Sequence, residues 1–249
     1  MRMPILQFDQ VTGGYNPRRP VLHGLSFDVR PGEMVGLIGL NGAGKSTAIK
    51  HILGLLAPSN GMIRVKGQPL AHSEEAYRRT YAYVPESPLV YEELTVREHL
   101  RFAAMAYEVD GARLEKETAS LAALFQMENK LDTLPSHLSK GMRQKLMLMA
   151  AFLVHPELYL IDEPFLGLDP LGIRALLELL DARKKSGAGI LLCSHILSTI
   201  EHYCDRFVLL HEGRVLAYGT ADELCKQAGL PGAGIEDVFI SLVREGNAG

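Results

Sequence analysis

Hydrophobic and polar positions along this chain repeat with two different periods. Residues 25–29 and 63–66 alternate between apolar and polar, which predicts half-buried β-strands. Residues 33–38, 158–163 and 189–194 are mostly continuous apolar runs, which favours strands buried on both faces. The pattern therefore predicts a core built around a β-sheet.

Between about residues 92 and 154 the apolar positions instead recur every three to four residues, which predicts helices. Thr95 and Glu98 form the capping-box pattern that opens the first of them. A second helix is predicted over roughly residues 111–128, and a third from about Ser139.

Strands and helices alternate again after this region, so the chain is predicted to have an α/β fold with a mainly parallel sheet. A helical insertion of roughly residues 88–155 interrupts it, within a single domain spanning residues 1–249. Residues 235–243 also have the pattern of a short amphipathic helix.

Composition narrows the function classes. The chain has 249 residues, 47% of them hydrophobic, which is enough to bury a substantial core. A net charge of −3 argues against a broad nucleic-acid-binding surface. The start of the chain lacks the apolar core of a signal peptide, and the longest apolar run, residues 146–154, is too short to span a bilayer. Work at a membrane would therefore require another chain to supply the spans.

A glycine-rich loop between the predicted strand 33–38 and a predicted helix at 47–53 carries the strongest chemical signal. Residues 39–46 read G-L-N-G-A-G-K-S and fit the pattern G-x-x-x-x-G-K-[ST] of phosphate-binding loops. Backbone N–H groups and the helix N-terminus attract phosphate, Lys45 reaches the β- and γ-phosphates, and the Ser46 hydroxyl can bind Mg²⁺. The predicted nucleotide contacts here are Asn41, Gly42, Ala43, Gly44, Lys45, Ser46 and Thr47. The alternative, a glycine-rich turn without a ligand, explains neither the lysine nor the serine.

Two carboxylates end the apolar run 158–163. Ligands of open α/β sheets bind at the carboxyl ends of the strands, which is where Asp162 and Glu163 are predicted to lie. Asp162 suits Mg²⁺, because hard cations prefer oxygen ligands, and Glu163 can orient or deprotonate the water that attacks the γ-phosphate. The alternative is that both acids only cap the following helix.

Residues 138–142 read L-S-K-G-M, which resembles the signature of ABC-type ATPases, whose commonest form is L-S-G-G-Q. Lys140 and Met142 depart from that form, whereas Ser139 and Gly141 keep it. An ordinary helix N-cap would explain Ser139 but not the residues around it. The resemblance implies a P-loop NTPase fold with an N-terminal antiparallel β part. It also implies that Ser139 and Gly141 face the γ-phosphate bound by a second copy, so that a head-to-tail homodimer closes on two ATP molecules.

The same resemblance assigns roles to four further residues. Asp169 would organise the dimer interface, His195 would contact the γ-phosphate, and Tyr15 would stack on adenine. Glu86 stands where the family usually has glutamine, and would meet Mg²⁺ and the attacking water. Taken alone, Asp169 also fits a plain turn, His195 a structural or solvated histidine, and Tyr15 a core or turn tyrosine. The resemblance thus implies catalytic Glu163, His195, Lys45 and Glu86, and a metal site of Ser46, Glu86 and Asp162.

Residues 36–41, 91–95 and 163–171 look most like the ATP-binding subunits of the Ecs-type exporters of Gram-positive bacteria. That narrower resemblance implies a separate transmembrane permease subunit, contacted by the segment 87–93, and a place on the cytoplasmic face of the membrane. It also implies export, with a possible link to peptides or secretion. A soluble ABC ATPase of cytosolic assembly machinery, and a regulatory module that binds ATP without turnover, remain as alternatives.

Overall fold

The computed structural model describes residues 3–194 and 197–246. Its strands are β1 (Leu6–Gly13), β2 (Leu22–Val29), β3 (Met34–Ile38), β4 (Asn60–Val65), β5 (Tyr81–Val84), β6 (Leu158–Asp162), β7 (Gly189–Cys193), β8 (Arg206–His211) and β9 (Arg214–Gly219). Its α-helices are α1 (Lys45–Ile52), α2 (Glu74–Arg79), α3 (Val96–Ala106), α4 (Gly111–Phe125), α5 (Lys140–Leu153), α6 (Pro170–Lys185), α7 (Leu197–Ile200), α8 (Ala221–Gln227) and α9 (Ile235–Gly246). Short 3₁₀ turns occur at Leu70–His72, Glu128–Lys130 and Pro135–His137.

The strands form two sheets. The larger has the order β5-β6-β7-β3-β8-β9 and is parallel except for β9, which pairs antiparallel with β8. The smaller is an antiparallel sheet of order β2-β1-β4. The predicted α/β fold with a mainly parallel sheet and an N-terminal antiparallel part is confirmed.

The large sheet separates two hydrophobic clusters, because successive side chains of a strand point to opposite faces. In β3, Met34 and Ile38 join the cluster that contains the helices α3, α4 and α5. Val35 and Leu37 join the cluster formed with the small sheet and α1. Every residue of β3, β6 and β7 is buried, which is why these strands read as continuous apolar runs.

The helices predicted between residues 92 and 154 are present as α3, α4 and α5. The capping box at Thr95 is confirmed, and so is Ser139 as an N-cap, since its hydroxyl accepts a hydrogen bond from the Met142 N–H at 3.2 Å. The helix α4 ends at Phe125, short of the predicted 128, because Gln126 adopts left-handed backbone angles. The amphipathic helix predicted at 235–243 is present as α9. The division into one domain with an insertion at 88–155 stays a prediction.

One further helix boundary and one helix differ from the sequence prediction. The helix α1 begins at Lys45, earlier than predicted, because the glycine loop runs directly into its first turn. The helix α6 begins at Pro170, capped by Asp169. The short helix α2 lies in a region that was predicted to hold only strands and turns after the glycine loop and its helix. No helix in the described part of the chain is long and apolar enough to cross a membrane.

We expect the capping box of α3 to contribute measurably to stability. The Thr95 hydroxyl accepts from the Glu98 N–H, and the Glu98 carboxylate accepts from the Thr95 N–H at 2.7 Å. Thr95→Ala should lower the free energy of unfolding in urea by about 1 kcal/mol, because an N-terminal N–H of the helix loses its partner. Thr95→Ser keeps the hydroxyl and should keep most of that stability. Equal stability of the alanine and serine variants would contradict the expectation.

Candidate functional site

One pocket of about 910 Å³ opens at the carboxyl ends of the parallel strands β3, β6 and β7. Polar residues from distant parts of the chain meet there because parallel strands present their carboxyl ends at one edge of a sheet. Of the residues singled out in the sequence, the pocket is lined by Tyr15, Asn41, Gly42, Gly44, Lys45, Ser46, Thr47, Glu86, Asp162 and Glu163. Ala43 belongs to the same loop but its side chain packs into the core.

The glycine loop follows a path that side chains would block. A Cβ atom added to Gly39 would lie 2.6 Å from the carbonyl oxygen of Leu210, and one added to Gly44 would lie 2.8 Å from Leu22 Cδ2. Gly44 also has a φ of 109°, in the left-handed region that glycine tolerates. As the N-cap of α1 it offers no side-chain hydrogen bond, so the first N–H groups of this helix receive no cap from that position. That arrangement suits an anion at the helix N-terminus.

Lys45 is buried, with its ammonium group folded back across the loop. Its Nζ donates to the carbonyl oxygen of Gly39 at 2.6 Å and lies 3.4 Å from that of Leu40. These carbonyl groups satisfy the buried charge and hold it inside the loop, where phosphate oxygens would lie.

Ser46 and Asp162, which lie in α1 and at the end of β6, are in direct contact. The Ser46 hydroxyl donates to Asp162 Oδ2 at 3.4 Å. Burial first, and then the negative charges of Glu163 and Glu86, raise the pKa of Asp162 to about 6, against the opposing effects of Lys45 and Ser46. The site therefore concentrates oxygen ligands and negative charge at one point. This donor set fits Mg²⁺, which is bound in proteins through one or two carboxylates together with phosphate oxygens.

Glu163 directly follows β6 in a strained conformation. Its φ of 47° lies in the left-handed region, and its backbone N–H donates to the Cys193 carbonyl oxygen at 2.9 Å. A non-glycine residue with left-handed backbone angles carries roughly 1–2 kcal/mol of conformational strain, and such strain is concentrated at functional sites. The turn places a largely buried carboxylate in the wall of the pocket.

Ser139, Gly141 and Asp169 do not line this pocket. They lie where the start of α5 packs against the residues that precede α6. The Gly141 backbone is so close to Gly167 that a Cβ atom on Gly141 would collide with the Gly167 carbonyl oxygen. Asp169 accepts from the Gly172 N–H at 2.6 Å and from Lys145 Nζ at 2.8 Å, and these contacts, the lysine first, lower the pKa of its carboxyl. The phosphate loop and the signature thus form two separate surfaces of one chain.

His195 lies outside the described residues, although Ser194 and Leu197 on either side of it line the pocket. The helix α9 forms a wall that sequence reasoning missed. It contributes residues spaced three or four apart along one face: Glu236, Phe239, Ile240, Val243 and Arg244. The sequence signal for the helix is clear, but nothing in that signal indicates which part of the fold it covers.

We expect the burial of Asp162 to reduce stability at neutral pH. The pKa in the folded chain, about 6, lies above the unfolded value of 3.8, so folding favours the protonated form. The resulting stabilisation is fully present below about pH 4 and is lost as the pH rises through 6. In Mg²⁺-free urea titrations, Asp162→Asn should gain on the order of 1–3 kcal/mol relative to the wild type between pH 4 and pH 8. The control Asp222→Asn, which changes an exposed carboxylate, should show no such gain. Parallel curves of unfolding free energy against pH for Asp162→Asn and the wild type would contradict the expectation.

Comparison with known proteins agrees with this geometry. The family model described as "ABC transporter" matches residues 22–166. The chain is 51% identical to the ABC-type transporter ATP-binding protein EcsA of Bacillus subtilis, over 98% of each chain. It is 39% identical to the Nod factor export ATP-binding protein I of Rhizobium meliloti, over 84% of this chain and 62% of that protein.

A solved structure of the ATP-binding subunit of an ABC transporter has the same fold. It superimposes with a TM-score of 0.94 at 53% identity, covering 96% of this chain and 99% of that one. Fold, phosphate loop and relatives agree, and the chain therefore belongs to the ABC transporter family, as an ATPase of the kind that forms the ATP-binding subunit of a transporter.

Proposed function

We propose that this chain binds and hydrolyses Mg-ATP to drive export through a separate membrane-spanning subunit, on whose cytoplasmic side it docks. The observation that carries the proposal is the meeting of Lys45, Ser46, Asp162 and Glu163 in one pocket at the carboxyl ends of the sheet. Phosphoryl transfer needs positioned charges more than covalent chemistry, and these side chains supply them.

Each group has a distinct task in this proposal. The N–H groups of the glycine loop and Lys45 bind the phosphates. Ser46, Asp162 and Glu86 would hold Mg²⁺, which would neutralise phosphate charge. Among the described residues no three His, Cys, Asp or Glu side chains are arranged to hold an ion by themselves, so phosphate oxygens would complete the set. Glu163 orients the water and accepts its proton as it attacks the γ-phosphate.

The separation of the two surfaces supports a head-to-tail homodimer. Ser139 caps the helix α5, Gly141 lies in its first turn, and neither residue lines the pocket of its own chain. In a pair of chains, the N-terminus of this helix would face the γ-phosphate bound by the other copy. ATP then stabilises the closed pair, and hydrolysis removes the contact, which shifts the population back to the open state.

An exposed apolar cluster supports docking on a membrane subunit. Leu89 is 73% exposed, Tyr91 55%, Phe102 51% and Met105 77%. The ring of Tyr91 packs edge-on against that of Phe102 at 5.4 Å, so the segment after Glu86 and the helix α3 form one patch. We call these four residues the docking patch. Glu86 lines the pocket only three residues before Leu89, so a partner seated on the patch lies close to the nucleotide.

The direction of transport rests on similarity. The name of the Rhizobium meliloti relative specifies export of Nod factor, which supports export for this chain. The Ecs-type resemblance extends the proposal to a peptide or a secretion-linked substrate, whose path lies in the partner subunit.

Variants of Ser139 can distinguish a role of this residue in the homodimer from a role only as a helix cap. In a Glu163→Gln background, Mg-ATP should produce a long-lived dimer in light scattering, because ATP binds but is hydrolysed very slowly. Adding Ser139→Asp keeps a good N-cap but places a carboxylate against the γ-phosphate, so the dimer should be lost while ATP binding to the monomer persists. Ser139→Ala removes the hydroxyl without adding a charge, so it shows how much of the effect of the aspartate is due to the charge. Monomers only in the Glu163→Gln protein, or dimers that tolerate the aspartate, would contradict the proposal.

The docking patch gives a test of the membrane partner. Glu163→Gln protein purified from detergent-solubilised source membranes with Mg-ATP should bring a polytopic membrane protein with it. Adding Met105→Glu to that protein should abolish the association. Met105→Glu in the wild-type chain should keep the ATPase activity of the isolated chain, because the side chain is exposed on α3. The control Leu55→Glu changes a leucine that is 62% exposed elsewhere and should leave the association intact. A soluble partner in place of the membrane protein would overturn the transporter assignment.

A further inference from the structure

The loop that carries Tyr15 is tethered to the helix α1. Tyr15 lies between β1 and β2, and its side chain is 61% exposed. The Lys50 ammonium donates to its hydroxyl at 3.0 Å and lies 5.0 Å from the centre of the ring. An exposed ring on a loop is therefore held at its polar end and not by packing.

Two further residues of the same helix face this part of the chain. Interaction with Lys50, first, and with Thr47 lowers the pKa of the Tyr15 phenol, so Thr47 lies beside it as well. A Cβ atom on Gly13 would lie 2.6 Å from the ring of His51, whose Nδ1 is bonded to the Leu56 carbonyl oxygen at 2.9 Å.

Thr47, Lys50 and His51 are spaced three and four residues apart, so they share one face of α1. Lys45, on the first turn of that helix, lies in the phosphate loop, and five residues of helix span about 7.5 Å. The tyrosine ring and the phosphate loop thus belong to one rigid unit, with a separation set by the helix.

We infer that Lys50 is a positioning residue, which holds the Tyr15 ring so that an exposed face is presented to the nucleobase of a nucleotide whose phosphates lie in the loop. The inference rests on the role that the family resemblance implies for Tyr15, which is to stack on the base of the bound nucleotide. Stacking requires a fixed ring, and a tyrosine without its tether has other side-chain rotamers available. Lys50 acts through the phenol and makes no contact with the phosphates.

The hydrogen bond between Lys50 and Tyr15 can be removed by a substitution at either residue. Lys50→Met removes the donor, and Tyr15→Phe removes the hydroxyl but keeps the ring. Each should weaken Mg-ATP binding in the full chain about three- to tenfold, the scale of one partly exposed charged hydrogen bond. The affinity for inorganic tripolyphosphate, which lacks a base, should not change in either variant, and the kcat of Lys50→Met should stay near that of the wild type. The double variant should be no weaker than either single one, and Lys50→Arg should restore binding.

Several outcomes would overturn the inference. An unchanged ATP affinity in Lys50→Met, or additive losses in the double variant, would show that the tether does not position the ring. An equal loss for tripolyphosphate would show that Lys50 binds phosphate directly. Lys185→Met, which removes an exposed lysine of α6 paired with Asp181, controls for a general loss of positive charge. Tyr15→Ala distinguishes the stacking role of Tyr15 from the positioning role of Lys50. Unchanged ATP affinity in Tyr15→Ala would reject stacking on the base. A loss of ATP affinity in Tyr15→Ala but not in Lys50→Met or Tyr15→Phe would reject only the role of Lys50.

Discussion

The parallel register of β3, β6 and β7 is the constraint on which the site depends. Leu37 of β3 and Asp162 of β6 both stand opposite Cys193 of β7, so the three strands end at one edge. That alignment brings Ser46 within hydrogen-bonding distance of Asp162, a residue 116 positions later in the chain. A shift of one strand by a single residue would turn its buried side chains to the opposite hydrophobic cluster, so the core and the site are fixed by the same pairing.

Negative charge predominates at this edge of the sheet. The carboxylates of Glu86, Asp162 and Glu163 line the pocket together with Lys45, and burial, followed by the charges of Glu163 and Glu86, raises the pKa of Asp162. A nucleotide alone would add negative charge, whereas a nucleotide with a divalent cation supplies positive charge where the carboxylates need it. We therefore expect nucleotide and divalent cation to bind together. Glu86, where the family resemblance implies glutamine, is expected to strengthen that preference.

Sequence reasoning succeeded where the chemistry is local. The placement of the glycine loop between a strand and a helix, the capping box at Thr95 and the cap at Ser139 each depend on residues within a few positions of one another. It was less accurate where distant packing decides. The short helix α2 was missed, and α9 was predicted as a helix without any indication that it forms a wall of the pocket. The hydrogen bond between Lys50 and Tyr15 could not be predicted from the sequence either, because it joins a loop and a helix 35 residues apart.

The left-handed backbone of Glu163 has a consequence for protein engineering. Glutamate is poorly suited to that conformation, and asparagine or glycine would adopt it at lower cost. A laboratory selection for heat resistance alone would therefore favour replacing the residue proposed to activate water. Libraries designed to make this ATPase more robust should keep position 163 fixed and screen for turnover together with thermal tolerance.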